Sequence, residues 1–135
     1  MTLRPLDRYR TDGLASQSPQ RLLVLLYQRL GLDLQRAEAS LLAGDRSSAH
    51  DELIHAQDIV GELRLALDVD AWPGGPGLAE VYRYLEQRLV AANVAKSATV
   101  VGECRDVVAP LIAAWEDAYR TVQSDRSEQY GRAQA

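Results

Sequence analysis

Four stretches of this chain repeat apolar residues three and four positions apart, and that spacing constrains the fold more than any other feature. Leu22, Leu26, Leu30, Leu34, Ala37 and Leu41 recur at that interval, as do Ala49, Leu53, Ala56, Val60, Leu63 and Leu67. The pattern returns at Leu78, Tyr82, Leu85, Leu89 and Ala92, and again at Val101, Cys104, Val108, Leu111, Trp115, Ala118 and Val122. Residues so spaced share one face of an α-helix, and a strand would need alternation instead. No segment alternates over strand length and no hairpin dipeptide occurs, so the class is all-α.

The punctuation agrees with the periodicity. Ser18-Pro19 reads as a helix start, since serine caps orphan N–H groups and proline has none to satisfy. Gly44 reads as a stop, and a second helix is expected over about Asp45 to Leu67. Asp70 to Gly77 holds three glycines and two prolines and is expected to separate the second helix from a third over about Leu78 to Ala95. The fourth is expected over about Ala98 to Val122. Pro110 lies inside it and predicts a kink or two shorter helices end to end. Short connections make successive helices antiparallel, which gives an up-down four-helix bundle. The chain thus divides into a short N-terminal cap segment over residues 1–17, a bundle over 18–123 and a polar, disordered tail over 124–135.

Charge narrows the partners. The net charge is −4 and the balance is acidic, without the basic footprint of a nucleic-acid binder. The longest uncharged apolar run, Leu22 to Tyr27, is too short to cross a bilayer, so no membrane insertion is expected. The N-terminus carries Arg4, Asp7, Arg8 and Arg10 and no apolar signal region. The single cysteine, Cys104, excludes an internal disulfide or a multi-cysteine zinc site and suits a reducing cytoplasm.

Catalytic chemistry is hard to place. Glu52-Leu-Ile-His55 has the spacing of a bundle metal ligand pair, but the chain has two histidines, His50 and His55, and no second pair. Either histidine offers a helical phosphoacceptor without the usual flanking motif. Cys104 falls on a core stripe, where a thiol packs as a small hydrophobe. No enzyme and no cofactor are expected. The apolar residues, by contrast, exceed what one stripe per helix requires. Leu23, Leu25, Ile54, Ile59, Tyr84, Val90, Val100, Val107 and Tyr119 flank the main faces. The surplus points to a partner, whether another protein or a second copy of this chain.

A set of short motifs then falls in a telling order: Tyr9, Ser18-Pro19, Leu25-Leu26-Tyr27, Ala56-Gln57-Asp58-Ile59-Val60-Gly61-Glu62-Leu63, Leu67-Asp68, Tyr82-Arg83-Tyr84-Leu85, Arg88-Leu89, Ala92-Asn93-Val94 and Trp115. In this order and spacing the chain resembles the FliS family of flagellin-specific export chaperones. The resemblance implies a cytoplasmic helical bundle, a monomer or weak homodimer, that binds the disordered C-terminal segment of flagellin. It implies that the bound segment cannot polymerise early and is delivered to the flagellar type III export gate. It also implies an N-terminal lid carrying Tyr9 and Leu14. Client contacts are expected from Tyr9, Leu14, Leu26, Tyr27, Ala56, Gln57, Ile59, Val60, Leu63, Val81, Tyr84 and Asn93.

Overall fold

The computed structural model describes residues 18–134, with the side chain of Gln134 excepted; the expected cap segment over residues 1–17 lies outside them. Four helices make up the described chain: α1 (Pro19–Leu42), α2 (Arg46–Ala66), α3 (Gly75–Ala95) and α4 (Ala98–Gln134). There is no strand among the described residues. α1 packs between α2 and α4, and α3 closes the ring from the other side.

Cross-helix pairs fix the directions. Glu38 and Gln28 of α1 meet Arg105 and Glu116 of α4, so one chain rises as the other falls. Ser40 and Asp33 meet Glu52 and His55 of α2, and His50 and Arg64 of α2 meet Asn93 and Glu86 of α3. Each neighbouring pair is therefore antiparallel, as the short connections require.

The helix ends obey local chemistry. Ser18 Oγ accepts from Arg21 N at 3.1 Å, and Asp45 Oδ1 accepts from Ser48 N at 3.1 Å. That backbone hydrogen bond holds the Asp45 carboxyl below its ordinary range. Between these two helices Gly44 takes φ of 78°, a left-handed turn that glycine enters at no steric cost. Ser97 Oγ caps α4 by accepting from Val100 N at 3.2 Å.

Three boundaries differ from the sequence expectation. α3 begins at Gly75 rather than Leu78, with Pro76 in its first turn, where the missing N–H costs nothing. A Cβ on Gly75 would lie 2.1 Å from the carbonyl oxygen of Val69, so the loop folds back too closely for any other residue. α4 is one helix through Pro110, not two. Pro110 and Asp106 both lie exposed, so water can satisfy the carbonyl that proline leaves without a donor. The polar stretch from 124 is helical to Gln134 rather than a disordered tail. Extending a packed helix incurs no nucleation cost, and Glu128 and Arg132 sit at a favourable i, i+4 spacing. The α1–α4 register brings the start of α1 level with Ser124, so the exposed turns beyond it project past the bundle.

The core holds most of each stripe read from the sequence, with Leu30, Leu34, Leu53 and Leu89 wholly buried; Ala118 and Val122, the last members of the fourth stripe, lie exposed instead. Each contributes about 1.5–3 kcal/mol of transfer free energy. Cys104 is buried with them, and its thiol is pushed up to about 11 by desolvation. Across the diagonal the Tyr27 and Tyr82 hydroxyls hydrogen-bond to each other, and Trp115 stacks on Tyr27 with ring centroids 6.0 Å apart. Burial raises both phenols above their ordinary value. A proton held more tightly in the folded state stabilises fully below the unfolded pKa of about 10 and is lost above it. Stability is therefore expected to fall in alkali by up to about 1.4 kcal/mol per pH unit for each tyrosine. Denaturant titrations above pH ~10 should give a shallower decline for the Tyr27→Phe/Tyr82→Phe double variant.

Candidate partner-binding surface

The bundle sorts the expected contact residues into three groups. Leu26, Tyr27, Ala56, Ile59, Val60 and Leu63 belong to the buried core and none is more than 4% exposed. Their placement on a docking surface is corrected: a partner cannot touch them while the helices stay packed. The physical reason is the ring itself. α2 packs against both α1 and α3, which covers a wider arc than one stripe. Gln57, Val81 and Asn93 are half-buried along the helix seams and Tyr84 is exposed, so these four remain open to a partner. Tyr9 and Leu14 lie outside the described residues.

Asn93 and His50 sit on the α2–α3 seam, where the Asn93 amide nitrogen lies 3.0 Å from His50 Nδ1. Further along, Arg64 Nε donates to Glu86 at 2.6 Å. Ile54, Val90 and Val94 expose apolar surface on these same two helices. The other histidine, His55, is paired through Nδ1 with the buried carboxylate of Asp33, which also accepts from Arg29 Nε at 3.0 Å. Both imidazoles are thus engaged between helices. Glu52 of the Glu-x-x-His pair accepts from Ser40 instead of facing a metal, and no cluster of metal-ligating side chains occurs among the described residues.

Two apolar recesses escape the periodic reading. One, of about 230 Å³, opens at the end of the bundle where α2 turns into α3. Leu23, Leu67, Trp72, Leu78, Tyr82 and Trp115 line it, with Asp68 at its rim. The second, of about 320 Å³, runs between α1 and α4 over Gly31, Leu32, Val108 and Ile112, with Gln28, Gln35 and Arg105 beside it. Trp72 belongs to a Gly/Pro-rich loop, so helical spacing carries no information about it. A tryptophan beside three glycines and two prolines was the available signal, because so large a ring seldom stands free of contacts.

The Cys104 thiol is buried, and no helix among the described residues is long and apolar enough to cross a membrane. What the chain offers is apolar recesses set between charged seams around a filled core.

Comparison with known proteins agrees with that description. A solved structure described as a flagellar chaperone from bacteria superposes with a TM-score of 0.70 at 18% identity, over 85% of this chain and 94% of that one. A flagellar secretion chaperone FliS of Bacillus subtilis is 25% identical over 94% of this chain and 92% of its own length. Its counterpart from Salmonella typhimurium is 30% identical over 78% of this chain and 79% of its own. These relatives are named as chaperones, not enzymes. The family model for the flagellar protein FliS matches residues 2–122, and the chain belongs to the FliS family of flagellar secretion chaperones.

Proposed function

We propose that this protein is a cytoplasmic chaperone for flagellin that holds the C-terminal segment of the newly made subunit and hands it to the flagellar type III export gate. The observation that supports this most directly is the surplus of apolar surface around a complete core. The end recess, the α1–α4 groove and the exposed Ile54, Val90 and Val94 are not needed to close the bundle. A disordered segment that orders on binding loses conformational entropy, so it needs a long apolar contact, on the order of 1,000–3,000 Å². Recesses on several sides of a rod suit a ligand that wraps it. While wrapped, the segment has no free apolar face with which to join a filament.

Calorimetric titration with flagellin from the same bacterium tests the reading. Saturable binding to intact flagellin, lost when its C-terminal segment is deleted, is the expected result. Absence of binding to the intact subunit would overturn it. Sedimentation of the free protein separates a monomer from a weak dimer.

A further inference from the structure

At the end of the α2–α3 seam away from the tryptophans, hydrogen-bond donors outnumber acceptors. Lys96 Nζ donates to Asn93 Oδ1, which leaves the Asn93 amide nitrogen to donate to His50 Nδ1 at 3.0 Å. A ring nitrogen that accepts is unprotonated, so the imidazole hydrogen stands on Nε2. The bonds thus run from Lys96 through Asn93 to His50, and they leave donors over: the remaining N–H groups of the ammonium and the imidazole Nε2–H. The same antiparallel register, continued one turn, sets Arg46 of α2 level with Ser97. Neither Lys96 nor Arg46 has an ion-pair partner among the described residues. Asp45, next to Arg46, is spent as the N-cap of α2. On a chain of net charge −4, positive charge is left unneutralised at this spot.

Lys96 also occupies a costly position. It caps α3 with φ of 52°, in the left-handed region that glycine enters without strain. It is the only lysine of the chain, and it lies partly buried along the turn. Backbone strain tolerated for an ammonium points to a use for the ammonium. Apolar surface adjoins it: Val90 and Val94 are 50% and 81% exposed, and Ile54 across the seam is 41% exposed. Two cations and an N–H donor beside exposed valines suit a carboxylate carried on a chain with apolar side chains. A C-terminal segment has such a carboxylate at its end whatever its sequence. We propose that Lys96, with Arg46 and His50, binds the terminal α-carboxylate of the client, and that apolar side chains just before that terminus lie over Val90 and Val94. This rests on the flagellin reading above and adds to it the point that sets the register of the bound segment.

The test crosses one change on each side of the contact. A synthetic peptide of the flagellin C-terminal segment is made as the free acid and as the C-terminal amide. Each is titrated calorimetrically into the unmodified protein and into Lys96→Gln. The unmodified protein should bind the amide about five- to tenfold more weakly than the acid, as for loss of a partly exposed charge-assisted hydrogen bond. Lys96→Gln should bind both forms alike, at the level of the amide. Arg46→Gln, a change on an exposed side chain, should narrow the preference as well. Equal binding of acid and amide by the unmodified protein, or an undiminished preference in Lys96→Gln, overturns the proposal while the chaperone reading stands. If intact flagellin binds but neither peptide does, the proposal falls alone. If the intact subunit does not bind either, both fall.

Discussion

Ile59→Asp is expected to unfold the bundle. Ile59 is wholly buried in the core, so the change removes a packed side chain and puts a carboxylate where water cannot reach. Truncating a buried isoleucine alone costs about 2–5 kcal/mol. An unpaired buried charge adds several more, against a total stability of about 5–15 kcal/mol. Circular dichroism should show lost helicity or a cooperative melt at far lower temperature. Ile54→Asp, on the outside of the same helix, should melt within about 0.5 kcal/mol of the parent. Comparable melts for the two variants would contradict the burial assigned to Ile59. The pair also guards against a false inference, because a core variant that fails to bind flagellin says nothing about the docking surface.

The second large effect concerns Asp33. Its side chain is 2% exposed, and it is held by His55 from α2 and Arg29 from its own helix. His55→Leu leaves that carboxylate with Arg29 alone and should cost about 1–3 kcal/mol in a denaturant titration at neutral pH. Adding Asp33→Leu should recover most of the loss, because an apolar pair of similar volume often replaces a buried polar one at little cost. Arg29 is 42% exposed and can turn to solvent once its partner is gone. A double variant that stays as far below the parent as His55→Leu does would mean that the contact contributes net stability, and not merely that a stranded charge is costly.

Both predictions bear on what the sequence made legible. The stripes at Leu30, Leu53, Leu85 and Val101 forecast four helices and their core, because helical periodicity is a direct projection of one-sided burial. The site was harder to read. Ile59 and Val60 are adjacent and both buried, since α2 touches neighbours on two sides, and a single chain cannot tell core from docking face when a helix is apolar over a wide arc. That Tyr84 and Val81 stay open to solvent was recoverable, because they flank the main stripe of their helix. Trp72 was not, since its position follows from a loop closing over Gly74 and Gly75. Nor was the helical run to Gln134, which rests on propagation from a packed stem and not on any pattern of its own.

Both tryptophans of this chain, Trp72 and Trp115, wall the same end recess. The indole emission of the protein is therefore a one-location optical signal, free of contributions from the opposite end. Trp72 is 47% exposed and Trp115 is stacked on Tyr27, so the two rings begin in different polarity and respond separately to what enters between them. Arrival of a client at this end can be timed by stopped-flow emission without attaching a dye, and a client engaged solely near Leu42 would leave the spectrum unchanged.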